Sequence, residues 1–269
     1  MTTWYVGVTG GIWASGTASA AVPPSGTAKD TIAEALAAAA DGDVIRLSPG
    51  THDLPAAIEK DVHLIGYGSA VTTIETASPV SVVADDTTVR IDSVNLAGTL
   101  PLRVEGKLSL YRCNAEWDAA AEIATGGAGI AVWCAKPVAA MSDAAIGNYP
   151  LSSKTPPGGR SGAKISSYRH AVELQAAAKL VKASGQKSPE TWLTFADLRV
   201  RFDERTAREG LQNRLIVANA TGMAYCRGGM PVHPNFRMLH DSRILQVQGV
   251  NMAVAPRNEL EILYSERVA

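Results

Sequence analysis

The chain has 269 residues, 46% of them hydrophobic, with a net charge of −1 and a pI near 6.5. That is enough to bury a core in one large domain or two ordinary ones, and it carries no global signature of nucleic-acid binding. A membrane span, a signal peptide and a disulfide scaffold are not expected. No apolar run reaches about 18 residues, "MTTWYVGV" has no basic n-region, and Cys113, Cys134 and Cys226 show no CxxC or ligand spacing, as in a reduced, intracellularly made protein.

The first half is rich in Ala, Gly and Val. "DTIAEALAAAADGD" (residues 30–43) is its one clear helix, with Ile32, Leu36 and Ala39 on one face and Gly42 as the stop. Short β-rich runs follow, among them "DVIRLSPG", "DVHLIGYGS", "TTIETAS", "TVRIDSVNLAG", "LRVEGKLSLYRCN" and "GIAVWCA". Their interiors are Val, Ile and Leu, and the gaps between them are Asp, Gly, Ser and Asn. No long helical pattern separates them, which argues against a doubly wound sheet. Parallel strands stacked in a coil, with a repeat of roughly 20 residues and four or five turns, fit instead.

The opening "WYVGVTGG…TIAEALAAAADGDVIRLSPGTHDL…IEKDVHLIGYGS" (residues 4–70) resembles the start of right-handed parallel β-helix proteins of the pectate-lyase-like group. The resemblance implies a short right-handed β-helix over residues 1–140, closed at its open end by the helix. Enzymes of that group act on acidic polysaccharides with Asp pairs and an Arg. Here Asp85 and Asp86 are adjacent in "VADDTTV", where neighbours on a strand would face opposite ways, and the stretch reads as a turn.

Residues 141–164 lie in a Ser-, Pro-, Gly- and Ala-rich stretch ending in "TPPGGRSGAK", read either as a flexible linker or as an arm lying on a neighbour. Charge changes sign near this point. Residues 1–163 hold 10 Lys/Arg against 16 Asp/Glu, and residues 164–269 hold 15 against 10.

From residue 165 the strands lengthen. "SYRHAVELQ" puts His170, Val172 and Leu174 on one face, and "TWLTFADLRVRFDE" puts Trp192, Thr194, Ala196, Leu198, Val200 and Phe202 on another. "RTAREGLQNRLIVANATGMAYCR" begins as a loop or short helix and ends in a strand. "FRMLHDSRILQVQGV" is a hairpin around "HDS", and "ELEILYSE" is a last strand. Five or six antiparallel strands with almost no helix imply a small barrel or sandwich over residues 165–269.

The ordered marks R-H-x-V-x-L-Q, "GQKSPETW", "AYCRGG", "RML…SRILQVQGV" and "RNELEILYSE" resemble the tailed-phage head-closure family, also called head–tail adaptor or head-completion proteins. Departures are "FADLRV" for the family's W-A-x-(V/I), and the lack of an aromatic before "VQGV". The resemblance implies a virion protein made in the host cytoplasm. It would form a homo-oligomeric neck ring between a portal or adaptor protein and a tail terminator or tail tube protein. That ring would close the channel after DNA packaging, without enzyme activity or cofactor.

A ring meeting packaged DNA would use phosphate-facing cations without base readout. The candidates are Arg199, Arg201, Arg205, Arg208 and Arg214, in a stretch with five Arg against Asp203, Glu204 and Glu209. The bland alternative is a solvated face. His170 reads as a core or interface residue, His233 and His240 have no metal spacing, and Cys226 reads as a small buried residue. No nucleophile elbow or nucleotide loop is present. The competing functional readings are a carbohydrate-binding or carbohydrate-active β-helix protein of the virion surface, and a capsid decoration protein with a borrowed barrel.

Overall fold

The structure, a computed structural model, describes residues 1–8, 13, 26–76, 82–98, 102–115, 122–124, 126–132, 134, 146–149, 168–181, 187–203, 222–227, 232–252 and 259–267. The chain is mainly β, with a parallel solenoid-like stack followed by a closed antiparallel barrel. It forms two compact units, Met1–Leu151 with Ala178–Leu193, and Ser152–Ala177 with Thr194–Ala269.

The solenoid opens with β1 (Thr3–Val6), β2 (Ala28–Lys29) and helix α1 (Ile32–Ala38). Three-strand coils follow: β3 (Asp43–Leu47), β4 (Gly50–Leu54) and β5 (Ala57–Ile58), then β6 (Val62–Ile65), β7 (Thr72–Thr76) and β8 (Val82–Val83). The next are β9 (Thr88–Asp92), β10 (Asn95–Gly98) and β11 (Arg103–Val104), then β12 (Lys107–Tyr111), β13 (Asn114–Ala115) and β14 (Glu122–Ile123). β15 (Ala128–Val132) starts another coil, and β16 (Ile146–Tyr149) pairs beside it in parallel, inside the stretch read from sequence as linker or arm. The remainder of residues 141–164 lies outside the described residues.

Like strands stack into three parallel sheets, in the orders β16-β15-β12-β9-β6-β3-β1-β2, β13-β10-β7-β4 and β14-β11-β8-β5. Asp43, Val62, Val89, Leu108 and Gly129 stand in line, so the register repeats after 19, 27, 19 and 21 residues. Because strand side chains alternate faces, each coil sends the same positions inward and columns form. Ile45, Leu64, Ile91, Leu110 and Ala131 make one, all at most 1% exposed. Ile58, Val83 and Val104 make another on the third sheet, all 0% exposed. A fully buried side chain of this kind contributes about 1.5–3 kcal/mol. On β12 the outward Ser109 and Tyr111 are buried as well, and β15 is buried throughout, so the outer face of the first sheet is covered there. Gly106 is required by close stacking, since a Cβ would run into the carbonyls of Ala84 and Thr87.

Helix α1 starts as its sequence dictates. Thr31 accepts from the Glu34 amide at 3.1 Å, and Glu34 accepts from the Asp30 amide at 3.1 Å. Its apolar face (Ile32, Ala35, Leu36) is buried. It ends earlier than the Ala run implied. Asp43 takes the Ala40 amide at 3.1 Å, and Lys60 from the next coil donates to the carbonyls of Leu36, Ala37 and Ala39 at 2.8, 3.2 and 2.6 Å. Those bonds satisfy the carbonyls of the last turn. Gly42 lies beyond the helix, at φ +82° in the turn into β3.

The barrel consists of β17 (His170–Val181), β18 (Lys187–Asp203), β19 (Gly222–Arg227), β20 (Arg237–His240), β21 (Arg243–Met252) and β22 (Glu259–Arg267). Their order is β17-β18-β19-β22-β21-β20, closed by β17 against β20. The closing ladder pairs Glu173, Leu174 and Gln175 with Leu239, Met238 and Arg237, which covers the edge strands there. The "HDS" hairpin joins β20 to β21 through Asp241 (φ 46°) and Ser242 (φ 66°), with His240 opposite Arg243. Two positive φ values define the primed turn whose twist matches its strands, and Asn-Gly suits it best. The double change Asp241→Asn, Ser242→Gly is expected to raise barrel stability by about 0.5–1 kcal/mol. A thermal melt of the full chain checks this, and a lower midpoint contradicts the turn assignment.

Candidate channel-facing surface

On β18 the alternation of the sequence becomes two faces, with a switch. Ala196, Leu198 and Val200 are buried toward the bore, while Asp197 and Arg199 are exposed. Leu193 and Phe195 are buried on the opposite parity, so the single face expected from Trp192 to Phe202 holds only from Ala196 onward. Phe195 meets Phe236 edge-on at 5.1 Å.

The bore is filled by side chains, as a six-stranded barrel requires. Val172, Leu174, Ala224, Cys226, Met238, Leu245, Val247 and Ile262 are at most 2% exposed. The strand ends that carry His170, Phe202, His240 and Tyr264 bring those four rings together. Phe202 lies 5.1 Å from His170, 5.0 Å from His240 and 5.8 Å from Tyr264, and the two imidazoles are 5.2 Å apart. His170, read from sequence as a core or interface residue, is instead exposed, because it starts its strand at the end of the barrel, where its ring packs beside Phe202 and His240. Burial, with the charge of Glu259, pushes the Cys226 thiol up to about 12, which leaves it a small inert core group.

The candidate arginines differ in their surroundings. Arg199 is exposed and has no ion pair among the described residues. Arg201 is engaged: its Nη2 donates to Glu259 Oε2 at 3.5 Å, and its guanidinium stacks 4.6 Å from the Tyr225 ring. Glu259 is only 3% exposed and also accepts from the Tyr168 hydroxyl at 2.7 Å. A buried carboxylate needs such partners, so Arg201 is held by the barrel wall before it is available to any ligand. In the same row, Tyr225 OH donates to Glu261 at 3.4 Å, and burial followed by the Glu261 charge raises its pKa. Arg205, Arg208 and Arg214 lie outside the described residues.

Sequence reasoning missed the Tyr168–Glu259–Arg201–Tyr225 network. Its members are up to 91 residues apart, and no local pattern announces them. The row exists because β19 pairs with both β18 and β22, which sets Arg201 opposite Tyr225 and Tyr225 opposite Glu261.

In the solenoid, Asp85 and Asp86 occupy an exposed turn, with Asp86 at φ 59° and its amide donating to Asp85 Oδ1 at 3.0 Å. A separate cleft of about 430 Å³ is lined by Asp30, Thr31, Thr51, His52 and Asp53 among others. His52 bonds Ser48 O through Nε2 at 2.9 Å, and burial lowers its pKa. No helix among the described residues is long and apolar enough to cross a membrane. Compared with known proteins, the chain matches no protein-family model, and no curated protein is similar to it at a significant level.

Proposed function

We propose that the chain is a structural virion protein of a tailed phage. Its barrel assembles into a neck ring that closes the portal channel after DNA packaging and joins head to tail, while the solenoid decorates or braces that ring. The observation that carries the reading is the closed six-stranded barrel built from the segments that bear the ordered marks, from the R-H-x-V-x-L-Q strand to "ELEILYSE". In this reading α1 caps the solenoid through its buried Ile32, Ala35 and Leu36. The coil is right-handed, as parallel crossovers overwhelmingly are.

A filled bore leaves no path for DNA through a single barrel, so the channel lies between copies and is lined by outer faces. Arg199 on β18 and the stretch after Asp203 then supply positive charge. A ring multiplies that charge by its copy number, and salt at about 0.15 M screens all but close contacts. The cleft at β4 is the feature a carbohydrate-binding reading would use. It explains nothing about the barrel, so the neck reading is preferred.

Negative-stain images of the purified full chain are expected to show closed rings. Replacing Arg205, Arg208 and Arg214 together by Gln is expected to shift stability by less than about 0.5 kcal/mol. Mutant particles should fill heads that then leak DNA or fail to join tails. A strictly monomeric protein at micromolar concentration, or normal DNA retention and plaque yield in the triple variant, contradicts the ring or its lining respectively.

A further inference from the structure

Two of the three cysteines, 21 positions apart in sequence, occupy equivalent places on successive coils. Tyr111 on β12 pairs with Val132 on β15, and each cysteine follows its strand by two residues. The corner geometry repeats on the coil before. Ser93 (φ 59°) and Arg112 (φ 54°) both bend left-handed, with Ser93 N bonded to Tyr111 O and Arg112 N to Val132 O. Those bends bring the next residues, Val94 and Cys113, into the core. Val94, Cys113 and Cys134 thus form one buried column, at 0, 1 and 5% exposure.

Neighbouring parallel strands lie about 4.8 Å apart, inside the Cα separation a disulfide accepts. The single Cys113 S–H is shared between the carbonyls of Tyr111 and Ile91, at 3.3 and 3.5 Å, and Cys134 Sγ lies 3.8 Å from Val132 O.

We propose that Cys113 and Cys134 form a redox site at which a hydroperoxide closes a disulfide that staples the coil of β12 to the coil of β15. Cys134, the less deeply buried of the two residues, attacks the peroxide O–O bond as the thiolate, becoming a sulfenic acid and releasing hydroxide, which takes up the thiol proton as water. Cys113 then attacks that sulfur, and the sulfenic oxygen departs with the thiol proton. Two thiols and one hydrogen peroxide give one disulfide and two waters, so sulfur is oxidised and peroxide reduced. Cys113 is the more deeply buried of the pair, and burial raises its pKa, whereas the neighbouring Cys113 lowers that of Cys134, which fits Cys134 as attacker and Cys113 as resolver. The site is independent of the neck reading, since it rests on coil register alone.

The test treats the folded, reduced full chain with hydrogen peroxide, quenches with acid, alkylates remaining thiols and maps peptides by mass spectrometry. Cleavage after Glu116 and Glu122 separates the two cysteines. The expected product is a Cys113–Cys134 cross-link lighter by two hydrogens and reversed by dithiothreitol, with Cys226 still alkylated. The oxidised protein should melt roughly 5–10 °C higher than the reduced. Cys226→Ser should keep that shift and Cys134→Ser should lose it. Free thiols, separate sulfinic acids, links to Cys226 or between chains, or a cross-link without a higher melting point each overturn the proposal.

Discussion

Ile91→Ala is expected to destabilise the N-terminal unit by about 4 kcal/mol, and Ile91→Val by about 1 kcal/mol. Ile91 is 0% exposed and sits mid-column, with Leu64 on one neighbouring strand and Leu110 on the other. In a solenoid each coil touches only its neighbours, so a void at the centre is lined by residues whose positions are held by their own ladders. Relaxation is limited and the cavity cost stays high. Val71, 51% exposed, is the control, and its alanine variant should lie within about 0.5 kcal/mol of wild type. Guanidinium unfolding followed by circular dichroism measures all three. A loss below about 1 kcal/mol for Ile91→Ala would show that the inward columns are not close-packed.

The second large effect is acid lability centred on His63. Its pKa is lowered from 6.5 to about 3, first by burial and then by the nearby charges of Arg90 and Arg46. Its Nε2 is buried without a hydrogen-bond partner. The folded pKa lies below the unfolded one, so between the two values the unfolded chain binds a proton that the folded chain rejects. Stability is therefore complete above about pH 6.5 and falls by about 1.4 kcal/mol per pH unit below it, a loss of about 2 kcal/mol by pH 5.

His52 shifts in the same direction and adds to the slope. Asp43 acts oppositely. Hydrogen bonds from the amides of Thr2 and Ala40 hold its pKa down, so its contribution is present above the ordinary carboxylate range and lost only in stronger acid. His63→Gln should flatten the slope between pH 7.5 and 5 in urea titrations. An unchanged slope in that variant would remove His63 as its source.

Much of the fold is legible in the sequence because it is local. Thr31 with Glu34 marks a helix start whatever follows. The short Val/Ile/Leu runs read as strands because each buries one face, and "HDS" reads as a turn because its flanks alternate. The spacing of roughly 20 residues between runs is the coil length. Where reading failed, a distant group intervened. The helix stops at Ala38, before the end of its Ala run, and Lys60 of the following coil takes its last carbonyls. "IGNY", inside an apparent linker, became a strand because β15 offered it an edge.

Arg201 carries no signal that separates it from Arg199. Barrel closure puts a buried Glu259 beside the first and leaves the second exposed. Cys113 and Cys134 follow the same logic: their spacing of 21 residues is one coil, yet only the stacking register turns that number into contact. The sequence by itself determined where backbone extends, turns and alternates, because those choices depend on neighbouring side chains. The tertiary structure decided which residues meet across coils and around the barrel, because interstrand hydrogen bonds fix register between segments that have no local means of recognising one another.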